Sequence, residues 1–145
     1  MKRARNFRET RGDEVVLPGR TDFPQAAPGR IGILLCDELP QERAGRFGTY
    51  AGMFVRLLRS VEPALSFRTF HVQEGELPGT QDDCDAYLIT GSSASVYEDL
   101  PWLPPLSACV RRLFAEGRKI VGICFGHQLL AHALGGRTER APQGW

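Results

Sequence analysis

The stretch Lys119-Ile120-Val121-Gly122-Ile123-Cys124-Phe125-Gly126-His127-Gln128-Leu129-Leu130 decides the fold of this chain. A short apolar run ends at a cysteine flanked by glycines, and an apolar helical pattern begins immediately after it. The glycines permit a sharp backbone turn that a Cβ would block. The following helix directs its N-terminal amide groups and positive dipole end at the sulfur, which favours the thiolate. The pattern predicts a nucleophile elbow with cysteine in place of serine.

Short apolar runs alternate with helical patterns along the rest of the chain. The sequence predicts strands at residues 31–36, 65–72, 86–90 and 119–123, and helices at 43–60, 102–116 and 128–134. This alternation predicts an α/β fold in which helices cover both faces of a parallel sheet. Ligands bind beyond the carboxyl ends of strands in such sheets. Cys36-Asp37, Gly91-Ser92-Ser93 and Cys124 follow three of the strands, so we expect them to meet at one site.

Composition narrows the class of protein. The 145 residues include 18 basic and 17 acidic side chains, a balance that argues against bulk binding to nucleic acid or to an anionic membrane. No apolar run approaches the roughly 18 residues of a transmembrane helix. The four cysteines lack C-x-x-C spacing and the chain shows no export signal, so we expect reduced thiols in the cytoplasm, with no metal and no cofactor.

The first 29 residues differ from the remainder. They combine a basic start with several prolines and glycines and show little apolar periodicity. This composition predicts a flexible leader over residues 1–29 and a single domain over residues 30–145.

Cys124 is the main candidate for a catalytic residue. Its position at a strand end favours a thiolate nucleophile that forms a thioester, although a buried cysteine packed as a small apolar side chain is the alternative. The amide of Phe125 is a candidate oxyanion donor, and the amide of Gly91 is a second one unless Gly91 serves only the turn. A solvated or structural role is expected for each of the three histidines, which are His71, His127 and His132.

The sequence resembles the class I glutamine amidotransferase domain over residues 29–145. Residues 122–128 resemble its G-x-C-x-G-x-Q motif, and residues 75–78 and 89–102 resemble the GMP-synthase-like branch. The resemblance implies a flavodoxin-like α/β sandwich with a mostly parallel sheet and a glutamine or γ-glutamyl substrate. It implies that Cys124 attacks the γ-carbonyl, that Gly91 and Phe125 hold the oxyanion, and that Gln128 helps to hold the substrate's amino-acid end.

The chain departs from the family pattern in one respect. The family's His-x-Glu pair lies well downstream of the nucleophile, and no His-x-Glu sequence occurs in these residues. We therefore expect the N-terminal portion of an amidotransferase domain, with little activity by itself. A non-catalytic regulatory homologue, a γ-glutamyl peptidase and a cysteine-dependent redox protein remain alternatives. The resemblance is also compatible with a synthetase or other acceptor partner. An exposed sheet edge predicts a homo-oligomer, specifically a dimer, or else a monomer that is prone to aggregation.

Overall fold

The structure is a computed structural model that describes residues 29–82 and 84–143. Its strands are β1 (Arg30–Leu35), β2 (Ser66–His71), β3 (Ala86–Ile89) and β4 (Lys119–Gly122). Its helices are α1 (Gln41–Phe47), α2 (Tyr50–Val61), α3 (Leu103–Ala115) and α4 (Phe125–Ala133), and a 3₁₀ turn at Val72–Glu74 follows β2. Apart from Gly29, the leader predicted at residues 1–29 lies outside the described residues.

The four strands form one parallel sheet in the order β2-β1-β3-β4. The register aligns Leu34 of β1 with Ile89 of β3, and Ile89 with Gly122 of β4. The carboxyl ends of these three strands therefore lie side by side at one end of the sheet. The prediction of an α/β fold with a parallel sheet is confirmed.

Helices cover both faces of the sheet. Helices α3 and α4 pack on one face, where the buried side chains include Leu34, Tyr87 and Ile89. Helix α2 packs on the other face, against Ile33 and Leu35 of the central strand β1. Side chains alternate between the faces of a strand, so a central strand covered on both sides is apolar throughout. Within the described ranges, no helix is both long and apolar enough to cross a membrane.

The single helix predicted over residues 43–60 is wrong. The structure has two helices there, because Gly48 takes a left-handed φ of 79° and ends α1. The Thr49 hydroxyl then accepts a hydrogen bond from the Gly52 amide at 3.0 Å and caps α2. Apolar spacing continues across the break, so the pattern alone did not separate the two helices. The glycine followed by a threonine is the signal that marks the boundary.

Strand β4 lies at an edge of the sheet and leaves apolar side chains exposed. It pairs only with β3 among the described residues. Val121 is 55% exposed and Ile123 is 38% exposed. On helix α2, which packs against β1, Leu57 and Val61 are 61% and 66% exposed. Apolar side chains are therefore left uncovered on the edge strand that leads into the cysteine elbow.

Candidate active site

The turn from β4 into α4 places Cys124 in a strained conformation. Its φ is 51° and its ψ is −107°, and it is the one non-glycine residue with positive φ in the part of the chain that the structure describes. Such a conformation costs on the order of 1–3 kcal/mol, and folded proteins concentrate it at functional sites. The residue is also exposed. The predicted nucleophile elbow is therefore present in the backbone.

The two glycines that flank the cysteine are required by close backbone packing. A Cβ on Gly122 would lie 2.4 Å from the carbonyl of Gly126. A Cβ on Gly126 would lie 2.4 Å from the carbonyl oxygen of Ile89 on β3. Both distances are well inside van der Waals contact. The glycines thus let the first turn of α4 lie directly against the strand ends, which brings the helix N-terminus to the cysteine.

Gly91 lies beside Cys124 at the end of β3. A Cβ placed on Gly91 would be 3.7 Å from the Cβ of Cys124 and 2.7 Å from the hydroxyl oxygen of Tyr50. The amide of the preceding residue, Thr90, donates to the Leu34 carbonyl at 3.1 Å, but the Gly91 amide has no acceptor in the described chain. An unused amide therefore lies at the residue that adjoins the cysteine.

The amide of Phe125 is the first of α4 and also lacks an acceptor among the described residues. The i to i−4 hydrogen bonds of α4 begin at the Gln128 amide, which donates to the Cys124 carbonyl at 3.1 Å. The Phe125 ring is buried and packs 5.6 Å from the ring of Trp102, measured between ring centroids. This packing fixes the start of α4. Two unused amides thus belong to residues next to Cys124, since Phe125 follows it in the chain and Gly91 adjoins it at the end of β3.

A cavity of about 300 Å³ opens next to Cys124. Gln128, one turn along α4, lines it together with Tyr97, so Cys124 and Gln128 face the same space. The remaining wall comes from two segments, residues 92–95 after β3 and residues 138–141 after α4. Its volume is at the lower end of the range for small-molecule sites. We did not expect residues 138–141, whose sequence carries no motif, and we did not assign a role to Tyr97 within the family-like stretch at residues 89–102.

The structure brings none of the three histidines to this cavity. His71 lies at the end of β2, where its Nδ1 is 3.9 Å from a carboxylate oxygen of Glu38. His127 and His132 are exposed on α4, and neither lines the cavity with Cys124. Within the described residues, no imidazole is therefore positioned to take a proton from the sulfur.

The other cysteines lie away from solvent. Cys36, Cys84 and Cys109 are buried, and none of the four cysteines forms a disulfide within the described residues. Burial, together with the negative charge of Asp37, raises the pKa of the Cys36 thiol to about 12. Burial likewise raises the pKa of the Cys109 thiol. Since the thiolate is the reactive form, these two cysteines are chemically inert near neutral pH.

A carboxylate at the end of β1 binds the loop that lies beside Cys124. Asp37 Oδ2 accepts hydrogen bonds from the Ser93 amide at 2.7 Å and from the Ser93 hydroxyl at 2.8 Å. The Ser92 hydroxyl approaches the same oxygen at 3.4 Å. The expected meeting of residues 36–37, 91–93 and 124 at one edge of the sheet is confirmed. Sequence reasoning did not find that Asp37 binds the loop after β3.

Comparison with known proteins identifies the family. The model of the family "Glutamine amidotransferase class-I" matches residues 47–144. The chain belongs to this family. The chain is 36% identical over 100 residues to gamma-glutamyl peptidase 4 of Arabidopsis thaliana, covering 68% of this chain and 39% of the peptidase. It is also 31% identical over 93 residues to the glutamine-hydrolyzing GMP synthase of Pyrobaculum aerophilum, covering 64% of this chain and 17% of the synthase.

A solved structure supports the same family. The glutamine amido transferase from Methylobacillus flagellatus is 29% identical and superposes with a TM-score of 0.57, over 79% of this chain and 42% of that one. The expected flavodoxin-like α/β fold agrees with this neighbour. The chain thus spans less than half the length of each of these three relatives.

Proposed function

We propose that Cys124 is the nucleophile of an acyl-transfer reaction that cleaves a γ-carboxamide or a γ-glutamyl amide. The observation that carries the proposal is the elbow itself. An exposed cysteine with a left-handed φ of 51° adjoins Gly91 and Phe125, whose amides have no acceptor in the described chain. Packed scaffolds retain such strain where the geometry serves chemistry.

In the proposed reaction the Cys124 sulfur attacks the γ-carbonyl carbon of the substrate. The carbonyl oxygen becomes an oxyanion that accepts hydrogen bonds from the amides of Gly91 and Phe125. The C–N bond breaks, the nitrogen leaves as ammonia or as an amine after taking a proton, and a γ-glutamyl thioester remains. Water then hydrolyses the thioester to glutamate and restores the thiol. Gln128, on the wall of the cavity, would hold the amino-acid end of the substrate.

The described residues place no histidine in the cavity to serve the proton transfers of the proposed reaction. No histidine lines the cavity among the described residues, and the sequence contains no His-x-Glu. Removal of one member of a catalytic triad typically reduces turnover by about 10³-fold or more. We therefore expect the 145-residue chain by itself to react at Cys124 but to turn over slowly.

Two substrate classes fit the proposed chemistry. Glutamine would release ammonia for an acceptor or a synthetase partner, as the name of the GMP synthase relative indicates for that protein. A γ-glutamyl peptide would release an amine, and the 36% identity to a gamma-glutamyl peptidase favours this second class. Incubation with glutamine and with a γ-glutamyl dipeptide, in separate reactions, distinguishes the two by which one yields glutamate. A yield that persists in Cys124→Ser would contradict the proposal.

The alternative is a binding or regulatory homologue without catalysis. The observation that favours this alternative is that no histidine lines the cavity among the described residues. Glutamine or a γ-glutamyl peptide would then bind without acylating Cys124, which calorimetric titration combined with intact-protein mass measurement would detect. A redox role predicts instead that Cys124 reacts with peroxide faster than an ordinary exposed thiol does.

Location and assembly are the remaining parts of the proposal. Four cysteines without a disulfide in the described residues fit a reducing compartment, so we place the protein in the cytoplasm. The exposed apolar edge at β4 favours pairing with a further strand, either from a second copy of the chain or from a partner.

A further inference from the structure

The carboxylate of Asp37 is held by hydrogen bonds that come mainly from the loop after β3. Its Oδ2 accepts from the Ser93 amide, the Ser93 hydroxyl and the Ser92 hydroxyl, and its Oδ1 accepts from the Glu38 amide at 2.9 Å. Partial burial by itself raises the carboxyl pKa, but these hydrogen bonds outweigh it and keep the pKa of Asp37 below its ordinary value. The group is therefore an anion at neutral pH and a strong acceptor for this loop.

A second link joins the same two strand ends. The Cys36 amide donates to the Thr90 hydroxyl at 2.9 Å, and that hydroxyl donates to the Gly91 carbonyl at 3.0 Å. Thr90 is fully buried. Gly91 is thus fixed on one side by Thr90 and on the other by the Asp37–Ser93 contact. Both restraints originate at residues 36–37, which follow the central strand β1.

We infer that Asp37 is a positioning residue, which holds the loop after β3 so that the Gly91 amide faces the carbon attacked by Cys124. This role rests on the proposed acyl-transfer function. Glycine at position 91 has no side chain to restrain it, and an oxyanion donor must be held in place before the charge develops. The carboxylate supplies that restraint without contacting the substrate. A loop displaced by about 1 Å can cost on the order of 10²-fold in rate.

A purely structural carboxylate would behave differently, and Asp82 provides the matched control. Asp82 accepts hydrogen bonds from Arg68 at 2.9 Å, from the Cys84 amide at 3.2 Å and from the Tyr87 hydroxyl at 3.2 Å. It precedes β3, so it lies at the opposite end of the sheet from Gly91. Loss of either carboxylate should lower stability, but only loss of Asp37 should affect oxyanion binding.

Two thiol-reactive compounds distinguish a loss of oxyanion binding from a loss of stability. Both are applied to the full 145-residue chain. The first is glutamine with its carboxamide replaced by a chloromethyl ketone. The sulfur first adds to the ketone carbonyl and gives a tetrahedral oxyanion. The sulfur then moves to the methylene carbon and displaces chloride, while its bond to the carbonyl carbon breaks and the C=O bond re-forms. The second is iodoacetamide, which the sulfur alkylates by direct displacement of iodide with no oxyanion. The ratio of the two rate constants at Cys124 reports the oxyanion site independently of thiol exposure.

We expect Asp37→Ala to lower this ratio at least ~10-fold, since one oxyanion donor is worth ~10²–10³ in rate and is here displaced rather than removed. Asp37→Asn keeps one acceptor oxygen and should lie between wild type and Asp37→Ala, about threefold below wild type. Asp82→Ala should keep the wild-type ratio. An unchanged ratio in Asp37→Ala, or in Asp37→Asn if the alanine variant does not fold, would overturn the inference.

The proposed function itself has a separate readout in the same experiment. Wild type should react faster with the glutamine-derived ketone than with chloroacetone, and free glutamine should slow only the first reaction. Equal rates would overturn the amidotransferase function and the role of Asp37 with it. Selectivity in wild type together with an unchanged Asp37→Ala ratio would overturn the role of Asp37 alone.

Discussion

Cys124 differs from the other described cysteines in two respects, its exposure and its backbone. Cys36, Cys84 and Cys109 are buried in the core, whereas Cys124 starts α4 with a left-handed φ of 51°. Reactivity of a thiol follows access and thiolate character. At the scale of single residues, the claim that Cys124 is the reactive group can therefore be examined without any substrate.

We predict that iodoacetamide under native conditions near neutral pH modifies one cysteine per chain. Cys124 is exposed, while burial raises the pKa of the thiols of Cys36 and Cys109. Intact-protein mass measurement should show a single adduct, and Cys124→Ser should show none on the same timescale. Rapid addition of several adducts to the folded protein would contradict the burial of the other three thiols.

The close packing at the elbow predicts that a side chain at position 126 lowers the free energy of unfolding. A Cβ there would lie 2.4 Å from the Ile89 carbonyl oxygen, and backbone on both sides leaves little room to relax. We expect Gly126→Ala to lower the free energy of unfolding by about 1–3 kcal/mol, measured by urea denaturation. Gly45→Ala on exposed helix α1 is the control, because no atom lies within 4 Å of its added Cβ. That change should leave stability equal or raise it by up to about 1 kcal/mol.

At the scale of elements, the sequence predicted the strands and the elbow well and the site only in part. Short runs that are apolar throughout predicted β1 and β3, because both faces of these strands are buried. The break at Gly48–Thr49 was missed because apolar spacing continues across it. The contact between Asp37 and Ser93 joins residues 56 positions apart, so local patterns carry no trace of it. The segment at residues 138–141 has no periodicity and reaches the cavity only through the fold.

The link between the end of β1 and the loop after β3 predicts a pH dependence of stability. The folded-state pKa of Asp37 is lowered, so its contribution to stability is fully present above the value of an unfolded aspartate, about 3.9. The contribution is lost as pH falls through the lower folded-state value. The difference in free energy of unfolding between wild type and Asp37→Asn should therefore be positive at pH 6 and shrink toward zero below pH 4. A difference that stays constant or grows on acidification would contradict this account.

At the scale of the whole molecule, the sheet is covered unevenly. The α3 and α4 face is well packed, while Val121 and Ile123 near the β4 edge and Leu57 and Val61 on α2 remain exposed. The chain spans 39% of the gamma-glutamyl peptidase and 42% of the Methylobacillus amido transferase. An uncovered apolar edge of this kind favours association with another strand.

We predict that the isolated chain self-associates in a concentration-dependent manner through β4. Val121→Lys places a charge on the exposed edge and should shift the sedimentation profile toward monomer. Phe114→Lys is the matched control, since Phe114 is 59% exposed against 55% for Val121 but lies on α3. A wild-type monomer at all concentrations, or equal effects of the two substitutions, would contradict an interface at β4.

The central claim is that Cys124 accepts a γ-glutamyl group, and one measurement tests it most directly. The chain is mixed with γ-glutamyl-p-nitroanilide, whose leaving group needs little help from a general acid, and its intact mass is followed with time. We predict a γ-glutamyl adduct on Cys124, formed together with one equivalent of nitroaniline and absent from Cys124→Ser. Folded wild-type protein that forms no adduct, or an adduct that persists in Cys124→Ser, would contradict the account.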